Sequence, residues 1–125
     1  MLIYTSNKTV KEIDAQFETE SANVGMSLLK TYNYGEMVAS KGFPIEGDVI
    51  VYEICQAKIA SKVLTTNRSF APFMPCRVSV YDDNGTTILS SPSMQLQIEN
   101  FDESVRADAQ ELFGALGKLL KTLAD

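Results

Sequence analysis

The sequence predicts a single α+β domain in two layers, a mostly antiparallel sheet of about five strands packed by helices. Three observations carry that expectation. Asp83-Asn84-Gly85 lies between two period-two apolar segments, a signal for a tight β-hairpin. The C-terminal residues keep apolar side chains at helical spacing for five turns. Between the ends, short strand-like and helix-like segments alternate without repeat, linker or low-complexity tract. A chain of 125 residues with 45% apolar side chains suits one core and does not need disulfide staples.

Leu2 to Thr5 reads as a short strand. Thr9 and Glu12 form a T-x-x-E capping box, and Val10, Ile13 and Phe17 follow at helical spacing, so a helix is expected to about Ala22, ending before Gly25. From Met26 the period becomes two, with Met26, Leu28, Tyr32 and Tyr34 on one face and Lys30 interrupting it. Glu36 to Lys41 suits one or two helical turns ended by Gly42, with Pro44 barring continuation. Asp48 to Cys55 is the strongest strand, and its nearly continuous β-branched and aromatic run predicts burial on both faces. A second helix follows with Ala57, Ala60, Val63 and Leu64 as its stripe and Asn67 just beyond. The prolines at 72 and 75 predict an irregular segment from Arg68 to Pro75. Cys76 to Tyr81 and Thr86 to Ser90 are the hairpin strands, because Asn-Gly readily takes the positive φ angles of a type I′ turn. Met94, Leu96 and Ile98 alternate with polar residues as a further extended piece. In the last helix Val105, Ala109, Leu112, Phe113, Leu116, Leu119, Leu120 and Leu123 form the apolar stripe.

Composition removes several function classes. The chain contains no histidine, which excludes a Ser–His–Asp or Cys–His pair, any His-containing zinc site and His-ligated haem within one chain. A net charge of −5 makes non-specific nucleic-acid binding an unsuitable role. Two cysteines are too few for a disulfide framework, no apolar run reaches membrane-span length, and the N-terminus turns polar after Tyr4. The cytoplasm is the expected compartment, with no membrane partner, no cofactor and no metal.

Chemistry then rests on a few side chains. Cys55 falls where a strand hands over to a helix, where unpaired backbone N–H groups and nearby Lys58 favour a thiolate; the simpler reading is an inert thiol closing a strand. Cys76, in phase with Val78 and Val80, reads as a core thiol. Were the two strands parallel neighbours, the thiols would sit roughly 20 Å apart; antiparallel, they would approach as a thiol pair or two-thiolate soft-metal site. Phe70, Phe73 and Met74 suit an apolar lid or a subunit contact, or a loop packed over the core. Tyr32, Tyr34 and Tyr52 could present phenol hydroxyls to a cavity. Asp82-Asp83-Asn84-Gly85 lacks EF-hand spacing and is read as a turn.

Two blocks, Val51-Tyr-Glu-Ile-Cys55-Gln-Ala-Lys-Ile-Ala60-Ser-Lys-Val-Leu64 and Pro75-Cys-Arg-Val-Ser-Val-Tyr81 with Gly85, resemble the domain-of-unknown-function 302 family. Val24 to Tyr32 and Met37 to Gly42 resemble its helix-to-strand passage and following turn, and the likeness runs from about residue 8 to 95. Many members read Cys-Asn-Pro where this chain has Cys55-Gln56-Ala57. The resemblance implies a compact α+β fold, often dimeric, with no established activity. The reading that follows is a homodimeric module that binds a small ligand or partner without catalysis of its own. Its ligand-binding candidates are Tyr32, Tyr52, Phe70, Phe73 and Arg77. The competing reading is a thiol-dependent redox or sulfur-handling protein that uses Cys55 and Cys76.

Overall fold

The computed structural model describes residues 1–92 and 103–125. Five strands, β1 (Leu2–Ser6), β2 (Ser27–Asn33), β3 (Val49–Cys55), β4 (Cys76–Asp83) and β5 (Thr86–Ser91), form one sheet in the order β1-β5-β4-β3-β2. Every neighbouring pair is antiparallel. The helices are α1 (Val10–Asn23), α2 (Tyr34–Ser40), α3 (Ala57–Thr66) and α4 (Glu103–Ala124), with a 3₁₀ helix at Arg68–Phe73. The expected extended piece at Met94–Ile98 lies outside the described residues.

Local chemistry sets the ends of these elements. Thr9 closes the start of α1 with the full capping box, its hydroxyl accepting from the Glu12 amide at 3.1 Å. The hairpin turn is Asn84-Gly85, with φ of 52° and 91°, so both residues hold the left-handed conformation of the type I′ turn. The Asp82 carboxylate accepts from the Gly85 amide and braces that turn. Side chains from Asn33 and Gln56 cap α2 and α3 in the same manner as Thr9.

Helices α1 and α4 pack together on one face of the sheet. The main core joins Ile13 and Phe17 of α1 and Leu116, Leu119, Leu120 and Leu123 of α4 to Tyr52, Ile54, Val78, Val80 and Leu89 of the sheet. A smaller core joins Ile59 and Val63 of α3, Phe70, and Val105 and Ala109 of α4. A Lys62–Asp108 ion pair of 3.1 Å links α3 to α4. At the other end the Ser6 hydroxyl donates to the Ala124 carbonyl and the Lys8 ammonium to the Leu123 carbonyl, tying the end of β1 to the C-terminus of α4.

Several elements differ from the sequence expectation. β3 is covered on one face only: Ile50, Tyr52 and Ile54 are buried while Val49, Val51, Glu53 and Cys55 are half-buried. Its continuous apolar run reflects an incompletely covered opposite face, not two helical layers. β2 carries a bulge at Leu29, because Leu28 opposes Ile54 and Lys30 opposes Glu53. The extra residue leaves Leu28 on the core side and turns Lys30 and Tyr32 to the opposite face, so Lys30 interrupts nothing. Tyr34 starts α2 instead of extending the strand. Arg68 to Phe73 is a 3₁₀ helix, a form compatible with Pro72 because its short ladder has few bonds to lose. In α3 the inward residues are Ile59 and Val63, and Ala57 is exposed.

Candidate functional site

The antiparallel pairing of β3 and β4 sets Ile54 opposite Cys76, which brings Cys55 to the same end of the sheet as Cys76. Both are free thiols. They line one cleft together with Ile59 of α3, Phe70 and Phe73 of the 3₁₀ helix, Met74 and Leu112. This cleft follows the seam between the two cores. It forms because the chain must cross from the end of β3 to the start of β4, and α3 and the 3₁₀ helix roof that crossing. Phe70 is 4% exposed and anchors the roof in the smaller core, whereas Phe73 is 36% exposed at the surface. Their rings tilt against each other with centroids 5.3 Å apart. The free space amounts to about 30 Å³, room for a water or a single ion but far below the roughly 300 Å³ of an organic-ligand pocket.

The two thiols differ in setting. Burial, assisted by the proximity of Cys55, pushes the Cys76 thiol up from 9.0 to about 11, so it stays protonated at neutral pH. Cys55 is the last residue of β3, and the N-cap of α3 is its neighbour Gln56, whose side-chain oxygen accepts from the Ile59 amide at 2.7 Å. Gln56 is the polar side chain of the lining, and its cap bond occupies that oxygen.

The other candidates lie elsewhere. Tyr52 is 1% exposed in the main core, stacked on Phe17 at 3.6 Å, with its hydroxyl donating to Asp14 at 2.6 Å. Burial and the Asp14 carboxylate raise its pKa far above that of a free phenol. Its role is to fasten α1 to the sheet, and it lines no described cavity. Tyr32 and Arg77 meet on the opposite face of the sheet, where both engage Glu53: the Tyr32 hydroxyl donates at 2.5 Å and Arg77 pairs at 3.5 Å. The hydrogen bond to Glu53 is the main reason the Tyr32 pKa is raised, with desolvation and the carboxylate charge adding to it. Lys30 stands 4.8 Å above the Tyr32 ring. This is a cross-strand network joining β2, β3 and β4, and its polar groups are directed at one another.

The cleft thus unites Cys55, Cys76, Phe70 and Phe73 and leaves out Tyr32, Tyr52 and Arg77. The sequence named Met74 with Phe70 and Phe73 as a lid or contact loop but not among the ligand-binding candidates; the short Met74-Pro75-Cys76 interval is the signal that could have added it. Among the described residues no three His, Cys, Asp or Glu side chains converge as a metal-binding group. No described helix is long and apolar enough to cross a membrane.

Fold and cleft together define a two-layer α+β domain with a sulfur-lined apolar seam at one end of an antiparallel sheet. The chain belongs to the DUF302 family, a domain of unknown function whose sequence profile matches residues 2–123, beyond the span of about 8 to 95 seen by resemblance. It is similar to the crystal structure of an uncharacterised conserved DUF302 protein from Bacillus stearothermophilus, at a TM-score of 0.88 and 23% identity. That likeness covers 100% of this chain and 99% of the other and supports the fold alone. Comparison with proteins of curated function returned no match.

Proposed function

We propose that the protein is a small cytoplasmic binding module, a homodimer, that holds a small species in the Cys55–Cys76 cleft without catalysis of its own. One observation carries the reading. Side chains from β3, α3, the 3₁₀ helix, β4 and α4 converge on a single apolar cleft that contains both free thiols. The chain has no histidine to pair with a thiol, and Cys76 is held protonated, which favours binding over thiol catalysis. Two free thiols suit a reducing compartment.

Self-association is assigned to the sheet face turned away from α1 and α4. Ile3, Val49, Val51, Tyr81 and Ile88 alternate outward there, and Ile3 is 60% exposed. Five strands about 4.8 Å apart and about 20 Å long present roughly 480 Å² in plan, so two copies approach the roughly 1,000 Å² of a specific interface. Lys30, Glu53 and Arg77 set opposite charges side by side across β2, β3 and β4 on this face, which suits a two-fold contact with a second copy.

Anaerobic native mass spectrometry of the purified chain tests the cleft. The expected result is a small adduct above the mass of the bare chain that is lost in Phe73→Ala, at the surface of the cleft. A chain that stays bare and retains no added small species, or an adduct indifferent to substitution of the cleft residues, would overturn the reading. The thiol-redox alternative draws on the same shared cleft, and it requires that oxidant remove two titratable thiols reversibly.

A further inference from the structure

The lining of the cleft names a ligand class. We propose that Cys55, Met74 and Cys76 form a soft-metal site that holds one Cu(I) ion through two thiolates and a thioether. This rests on the reading of the cleft as a binding site and specifies what enters it.

The donor set is the first argument. Three sulfur side chains line one cleft, and no carboxylate is among its described lining. Thiolate and thioether donors select Cu(I), whereas carboxylate and carbonyl oxygens suit Mg²⁺, Ca²⁺ and Mn²⁺. Structural zinc takes four N or S donors in a tetrahedron, which two cysteines and a thioether do not supply. Cu(II) takes tetragonal N and O donors, also missing from the lining. The side-chain oxygen of Gln56 is engaged by the Ile59 amide.

Size and surroundings are the second. The free space of about 30 Å³ fits a single ion, and an organic ligand of ordinary size would have to rebuild the roof. Ile54, Ile59, Val63 and Leu112 surround the sulfurs with hydrocarbon, which limits access of water and oxidant to a Cu(I) centre. Placement is the third. Cys55 ends β3 and Cys76 begins β4 on the neighbouring antiparallel strand, while Met74 follows the 3₁₀ helix directly. Two donors therefore ride on rigid strands and the third on the segment that roofs them.

The loading step is ligand exchange without electron transfer. Cu(I) leaves its carrier, two S–H bonds lose their protons to solvent, and three Cu–S bonds form, two to the thiolates and one to the Met74 thioether, so the site carries one net negative charge. Copper remains Cu(I) throughout.

Anaerobic titration of the full chain with Cu(I), in competition with a chromophoric Cu(I) chelator, is the test. One equivalent per chain should be withheld from the chelator. Cys55→Ser and Cys76→Ser should each weaken binding by more than about 100-fold, beyond the roughly 10–100-fold that outer-shell changes cost. Met74→Leu keeps the side-chain volume, so it folds even if Cys76→Ser does not, and should lose roughly tenfold. X-ray absorption should show a shell of sulfur alone. No Cu(I) retained, retention unchanged in Cys55→Ser and Met74→Leu, a nitrogen or oxygen shell, or tighter Zn²⁺ than Cu(I) binding would each overturn the assignment. An organic adduct that depends on Phe73, with no Cu(I) retained, would sink the metal site and leave the cleft reading standing. A bare chain that also fails to retain Cu(I) would sink both.

Discussion

At the scale of single residues, Cys76 has the clearest consequence in solution. Its folded-state pKa of about 11 lies above the unfolded value of 9.0, so the folded state prefers the protonated thiol. The associated stability is fully present below pH 9 and is lost as pH rises toward 11, amounting to about 2–3 kcal/mol at most. Denaturant midpoints of the wild type should therefore fall more steeply than those of Cys76→Ala between pH 9 and 11, and parallel curves would refute it. The two cysteines were legible as candidates from their places at the ends of strands; that they share a cleft follows from the antiparallel register, which no local pattern reveals. Tyr52 shows the opposite limit. Period two puts it on a face of β3, but only the packing of α1 decides that Phe17 and Asp14 meet it there.

At the scale of elements, caps, turns and helical periodicity were legible because their causes are local. The Thr9 box, the Asn84-Gly85 turn and the long apolar stripe all form where the sequence places them. The bulge at Leu29 and the 3₁₀ helix were not, since each is a compromise with neighbouring strands or helices. The stripe of α4 carries more apolar positions than one edge of a small core obviously needs, a surplus that would suit a dimer contact. In the structure Leu116, Leu119, Leu120 and Leu123 all face the chain's own core, with only Leu112 and Phe113 half-buried. Leu116→Ala should cost about 2–5 kcal/mol in chemical denaturation, because a 1% exposed side chain leaves a cavity. A loss within about half a kcal/mol, the size of a surface substitution, would contradict the packing.

At the scale of the whole molecule, the fold is asymmetric: helices α1 and α4 cover one face of the sheet and leave the residues of the other face half-buried. The sequence showed the outward apolar residues but not that a single helical layer serves the sheet, since the β3 run looked the same for one cover or two. The open face predicts the assembly. Sedimentation at micromolar concentration should give twice 13.8 kDa, and Val51→Lys, at the middle of that face, should return the chain to monomer with its helical circular dichroism intact. A wild-type monomer, or a Val51→Lys dimer, would place self-association elsewhere.

The bulge in β2 bears on how such a sheet stays finite. An edge strand offers unpaired backbone groups to any other chain, and a regular one templates endless addition. The extra residue at Leu29 breaks that template near one end of the exposed edge, so a second strand cannot zip along it in register. Edge-to-edge growth through β2 is thereby disfavoured, which is consistent with the face-to-face pairing proposed above. In this sense Leu29, 59% exposed and outside the cleft lining, blunts the β2 edge against strand addition.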